Sequence, residues 1–162
     1  MKYTSVWCIA ACLAFAGSAF AQGLDVSFGA LSDASSDDIE VSADSLAIDQ
    51  KTGQAEFEGN VDIGRGDLRL SADKVTIIYL SDNSGIERFR ASGNVMLVAG
   101  PDAAEADEAD YDLSGQRLVM SGNVLLAQGA LAVSADKMNI DLETGAAQMT
   151  GRVKTILAPD GQ

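Results

Sequence analysis

Ala55-Glu56-Phe57-Glu58-Gly59-Asn60-Val61-Asp62-Ile63 puts an apolar residue or glycine at every odd position and a charged residue or asparagine at every even one. A period of two is the signature of a strand with one buried face. The same parity runs through Leu68-Arg69-Leu70-Ser71-Ala72-Asp73, Leu131-Ala132-Val133-Ser134-Ala135-Asp136 and Lys137-Met138-Asn139-Ile140-Asp141-Leu142. The pairs Thr52-Gly53, Ser84-Gly85, Ser114-Gly115 and Thr144-Gly145 fall between such segments, and their glycines can supply the positive φ of hairpin loops. Residues 103–110 have some helical propensity, but nothing after residue 21 sustains a 3.6-residue period. The chain reads as all-β.

Three markers recur in fixed order. Ser-Ala-Asp stands at residues 42–44, 71–73 and 134–136, with Glu108-Ala109-Asp110 as a degenerate copy; the turn pairs follow; and Gly59-Asn60-Val61, Gly93-Asn94-Val95, Gly122-Asn123-Val124 and Gly151-Arg152-Val153 close each unit. Each marker keeps a period of about thirty residues, which indicates about four copies of one strand-turn-strand unit. Gly59, Gly93, Gly122 and Gly151 lie on the inward parity, where Val or Leu would pack better. Glycine inside a strand marks a bulge or bend. Four in register predict a row of bends that curves the sheet into a half-pipe or roll.

The 162 residues carry a net charge of −13. Residues 1–21 read as a cleaved secretory signal: Lys2 is the basic start, residues 6–16 are apolar, and Ala19-Phe20-Ala21 is the cleavage motif. Cleavage removes Trp7, Cys8 and Cys12, so residues 22–162 contain no Cys, His or Trp. Disulfides, Ser-His-Asp triads, thiol nucleophiles and His or Cys zinc sites are thereby excluded. The acidic surface opposes binding to nucleic acid. The expected organisation is a signal at 1–21, a flexible segment at 22–38, one β domain at 39–159 and a tail at 160–162.

Catalytic look-alikes fail on context. Ser71-Ala72-Asp73-Lys74 and Ser134-Ala135-Asp136-Lys137 fit S-x-x-K, Ser81-Asp82-Asn83 is S-D-N, and Lys51-Thr52-Gly53 is K-T-G. Their order is wrong for acyl-enzyme chemistry, and the S-x-x-K segments are expected at strand ends instead of opening a helix. Asp110, Asp112, Ser114 and Gly115 begin like a calcium loop, but its twelfth position is Ser121. The cluster Asp102, Glu105, Asp107, Glu108, Asp110 and Asp112 reads as a solvated loop leading into a strand with an acidic outer face. No enzyme and no cofactor are expected. The inward positions are small and aliphatic, which fits either two sheets filling their own core or a narrow slot for acyl chains.

The opening Ile39-Glu40-Val41-Ser42-Ala43-Asp44, the segment Gly53-Gln54-Ala55-Glu56-Phe57-Glu58-Gly59-Asn60-Val61 and Leu70-Ser71-Ala72-Asp73-Lys74-Val75 together resemble the LptA/OstA family. So do Asp110-Tyr111-Asp112-Leu113 and Leu118-Val119-Met120-Ser121-Gly122-Asn123. The resemblance covers residues 39–159. It implies a twisted, open-ended antiparallel β-jellyroll in the periplasm that shelters the acyl chains of lipopolysaccharide. It also implies head-to-tail stacking of copies, and partners at the inner and outer membranes that share the fold. By the same resemblance Ile39, Val41, Phe57, Phe89, Tyr111 and Leu113 are the expected acyl-chain residues. The alternative is an exported structural or interaction β-repeat protein without a lipid ligand.

Overall fold

The computed structural model describes residues 24–25, 39–82 and 84–157. The signal reading of residues 1–21, most of the 22–38 segment and the 160–162 tail lie outside the described residues. The strands are β1 (Leu24–Asp25), β2 (Glu40–Ser42), β3 (Ser45–Asp49), β4 (Gln54–Arg65), β5 (Leu68–Tyr79), β6 (Ile86–Ala99), β7 (Asp102–Asp112), β8 (Arg117–Gln128), β9 (Leu131–Asp141), β10 (Ala146–Thr150) and β11 (Lys154–Leu157). All pairings are antiparallel, in the order β1-β10-β9-β8-β7-β6-β5-β4-β2, with β3 also on β4 and β11 also on β9.

The long strands β4 to β9 all bend near their middles. Between the pairs Glu58↔Lys74 and Val61↔Ala72, Gly59 and Asn60 oppose Asp73 alone. The same two-against-one shift sets Gly93 and Asn94 against Asp107, and Gly122 and Asn123 against Asp136. Each glycine is left-handed at φ +76° to +80°, and the residue after it is left-handed too, at +46° for Asn60 and Asn94 and +47° for Asn123. Asn is among the few residues that tolerate that region. An aspartate fills the space a glycine side chain would need: Asn60, Asn94 and Asn123 donate from Nδ2 to Asp44, Asp73 and Asp107 at 2.8, 2.8 and 2.9 Å. In the last unit Arg152, at φ +42°, donates from Nε and Nη2 to Asp136 at 2.8 and 2.6 Å.

These bulges fold one continuous sheet into two wings. The first wing holds β2, β11 and the halves of β4 to β9 joined by the turns Gly66-Asp67, Gly100-Pro101 and Gly129-Ala130. Their glycines sit at +55°, +56° and +56°, as two-residue hairpins of the II′ kind require. The second wing holds β1, β3, β10 and the other halves. Its loops are longer and carry Asp49, Asp82, Asp112 and Asp141 at or near their starts, which accept backbone N–H bonds from Lys51, Ser84, Gly115 and Thr144. Hydrogen bonding to the charged form holds all four carboxyls below the usual range, Asp82 chiefly through the Ser84 hydroxyl.

Inward residues align in register across the strands. The first wing carries Val41-Ile63-Leu70-Leu97-Ala104-Leu126-Val133, and the second carries Phe57-Val75-Ala91-Ala109-Met120-Met138-Met149. Val75, Met120, Leu126 and Met138 are fully buried between them. The outer face of the second wing is polar: Lys74 bridges Glu56 and Glu58, and Arg88 and Arg90 converge on Asp110.

Three local expectations differ from the structure. The 102–112 stretch is a strand instead of a loop, because Ala104, Ala106 and Ala109 take inward positions, and Asp102 is buried with Gln128 Nε2 donating to it at 3.2 Å. Ser71-Lys74 and Ser134-Lys137 flank bends in mid-strand instead of ending strands. Gly85 and Gly115 do not take the positive φ expected of them; Gln116 does, at +46°.

The bends carry a measurable penalty for side chains. A Cβ on Gly122 would lie 2.8 Å from Asp107 Cβ, whereas one on Gly129 would meet nothing within 4 Å. Gly129→Ala should therefore cost about 1–2 kcal/mol for the left-handed backbone alone, and Gly122→Ala about 3 kcal/mol or more once overpacking is added. Urea unfolding of the two variants checks the order; equal losses would mean that the aspartate contact does not constrain the bend.

Candidate functional site

Between the wings lies an apolar cavity of about 160 Å³. That is close to the engineered cavity of about 150 Å³ that admits a benzene ring, so it holds a section of a hydrocarbon chain. Ile39, Ile63, Leu68 and Leu70 form its wall on the first wing, and Phe89, Tyr111, Leu113 and Met120 on the second. Phe89 and Tyr111 are direct cross-strand partners on β6 and β7, and their rings stack with centroids 6.2 Å apart and planes 10° from parallel. Offset ring pairs of this kind add rigidity beyond their buried area.

Tyr111 is half-buried, and burial pushes its phenol above the ordinary range, because the phenolate would lose its water. The Arg65 guanidinium opposes that shift in part, which places its charge within electrostatic reach of the phenol. Arg65 ends β4 and is the one ionised residue among those lining the cavity.

Four of the six residues expected from sequence line this cavity: Ile39, Phe89, Tyr111 and Leu113. Ile39 is half-exposed at its rim, at 51%. Val41 and Phe57 do not line it. Val41 pairs with Ile63 in the adjoining row, and Phe57 packs on the core between Leu46 and Val75. Sequence reading missed Leu68, Leu70, Ile86, Leu118, Met120 and Arg65. Continuing the alternation of β4 past Ile63 reaches Arg65 on the inward parity, so the signal for it was present. Leu68 and Leu70 likewise share the inward parity of a segment already read as a strand.

Among the described residues the sheet does not close on itself. At one end β3 leaves Leu46 and Ile48 53% and 67% exposed, although both occupy the inward rows with Phe57 and Ala55. At the other end β11 exposes Ile156 and Leu157 at 55% and 72%. Among the described residues there is no group of three or more His, Cys, Asp or Glu placed to hold a metal ion.

Comparison with known proteins identifies this arrangement. A family model described as LptA/(LptD N-terminal domain) LPS transport protein matches residues 40–146. The solved structure of LptH from Pseudomonas aeruginosa, described as the LptA homologous periplasmic component of the lipopolysaccharide transport device, superposes with a TM-score of 0.68. The match is 20% identical and covers 76% of this chain and 96% of that one. No curated protein matches the chain by sequence.

The environment of Tyr111 is open to titration. Phenolate absorbance of the folded chain should contain a component that titrates above the usual tyrosine range, and Tyr111→Phe should abolish it. Arg65→Gln should move the same component higher still, since an opposing cation is removed; an unchanged component would mean that the guanidinium does not act on the phenol.

Proposed function

The chain belongs to the LptA/LptD N-terminal-domain family of lipopolysaccharide transport proteins, and from that premise we propose that it is a periplasmic bridge carrying lipopolysaccharide from the inner to the outer membrane. It is a transport protein and not an enzyme. The observation that carries the reading is the pair of unbroken apolar rows facing each other across the bent sheet, with an apolar cavity between them. Acyl chains need a dry wall and no covalent chemistry, and flexible aliphatic side chains such as Met120 adapt to them. Ile39, Phe89, Tyr111 and Leu113 would contact the chains directly, while Val41 and Phe57 would extend the groove along the two rows. A purely structural repeat protein would have no use for such a cavity.

The free ends support edge-to-edge assembly. Among the described residues β3 pairs only with β4 and β11 only with β9, and exposed edges are templates for strand addition. A second copy joined head to tail would cover Leu46 and Ile48 and continue the inward rows. The membrane partners would join by the same edges, one at each end, and a cleaved export signal at residues 1–21 would deliver the chain to them.

Two measurements test this. The exported chain incubated with lipopolysaccharide should co-elute with it, and Phe89→Glu or Leu113→Glu should weaken binding about tenfold or more while far-ultraviolet circular dichroism stays unchanged, because a carboxylate must then be buried against hydrocarbon. Absence of co-elution by the folded parent would sink the transport reading. Separately, Ile48→Lys should reduce concentration-dependent self-association in sedimentation without loss of lipid binding; unchanged association would exclude the β3 edge.

A further inference from the structure

We infer that Ala91 and Ala109 are the specificity-determining residues of the cavity: the volume their side chains leave empty sets how deep a single hydrocarbon chain enters between the wings, and hence which chain lengths are preferred. The inference rests on the reading that the cavity takes acyl chains.

The two alanines are direct cross-strand partners on β6 and β7, and both line the cavity. They lie in the middle of the row Phe57-Val75-Ala91-Ala109-Met120-Met138-Met149, with Val75 on one side and Met120 on the other. Their neighbours in the row show that it accommodates larger side chains, and these two adjacent positions interrupt it. Alanine is also a weak strand former beside Val, Ile or an aromatic residue. Ala91 and Ala109 thus depart from the local rule in propensity and in packing, and functional positions are where such departures are expected.

Their place in the wedge gives the departure a use. Ala91 precedes the Gly93-Asn94 bulge and Ala109 follows Asp107, the residue opposite that bulge, so the pair sits beside the crease at the deep end of the cavity. The stacked rings of Phe89 and Tyr111 come next along the same strands, and Ile39 stands at the rim. A chain entering past Ile39, between those rings and the Leu70 and Leu97 side chains, would end against the two alanines. Ala72, Ala106 and Ala135, the alanines beside the crease on the first wing, line no part of this cavity.

The missing volume matches the void. Leucine in place of both alanines would bring about six more carbon atoms, the number in the benzene ring that a cavity of about 150 Å³ admits. The cavity measures about 160 Å³. A void left by small side chains costs stability in proportion to its volume, and an apolar chain end that fills it recovers that cost.

The test titrates 1-butanol and 1-octanol into the exported chain and its Ala91→Val, Ala109→Val and Ala109→Ile variants, with binding read from methyl resonances by NMR. The parent should prefer octanol strongly, since each further buried methylene is worth about fourfold in affinity. Each carbon added at the floor displaces about one methylene of the longer chain, so the octanol-to-butanol ratio should fall about tenfold in the Val variants and further in Ala109→Ile. Urea midpoints should stay level or rise, because the added carbons enter empty space. Folded variants that keep the parent's ratio overturn the assignment of the alanines and leave the acyl-chain reading standing. Lowered midpoints in all three variants do the same, since the two positions would then be closed by packing. A parent that binds neither alcohol overturns the acyl-chain reading and the inference with it.

Discussion

Everything in this molecule depends on the contact between an aspartate carboxylate and a left-handed Gly-Asn pair on the neighbouring strand. Without the extra residue at each of these positions, the long strands would continue as one nearly flat ribbon with an apolar face open to water. The bulge turns the strand, and the aspartate occupies the volume that a side chain on the glycine would claim. Because the contact recurs between the β2–β3 link and β4, between β5 and β6, and between β7 and β8, with Arg152 closing the series against Asp136, the bends line up as a crease. The crease brings the apolar halves of the same strands face to face. The core is thus built from strands that each contribute to both of its walls, and no separate second sheet has to be docked.

That construction explains how modest side chains suffice. A crease sets the wings close together near the fold line, where Val61, Val95 and Val124 are buried beside Ala72, Ala106 and Ala135. Farther from the crease the wings diverge, larger residues are required, and Phe89, Tyr111 and Leu118 meet Ile63, Leu70 and Leu97 around unfilled space. The cavity is the geometric remainder of a wedge whose walls carry too little volume to close it.

The repeat made most of this legible from sequence. Alternation in residues 55–63 and 137–142 identified the strands and their inward faces, and four glycines on the wrong parity identified the crease before any coordinate was known. What stayed hidden were features that depend on two strands at once. The partner of each glycine is an aspartate on a different strand, and only pairing reveals that Asp107, in a run of acidic residues, serves the third bend. The same run looked like a loop because its inward residues are alanines, whose weak apolar signal is overwhelmed by six carboxylates. Arg65 was not singled out, although continuing the alternation of β4 past Ile63 places it on the inward parity. Of the six residues expected to meet acyl chains, Ile39, Phe89, Tyr111 and Leu113 line the cavity, whereas Val41 and Phe57 fall to either side of it.

The direction of the rows carries a consequence that a closed barrel would not share. A barrel eliminates its edges by completing the circle, and its interior is then fixed in length. Here the rows run perpendicular to the strands, from β3 and β2 at one edge to β10 and β11 at the other, so the groove axis crosses the strands. With strands about 4.8 Å apart, the seven strands from β4 to β10 give a groove of about 29 Å. Each strand added at an edge lengthens it by the same step and leaves its cross-section unchanged. Ile48 and Leu46 already hold the inward positions that an added strand would continue, and their exposure leaves the hydrophobic gain of that continuation unspent in the single chain. Length would therefore grow with any strand added at an edge, whereas the width and chemistry of the groove are set within each copy by its crease.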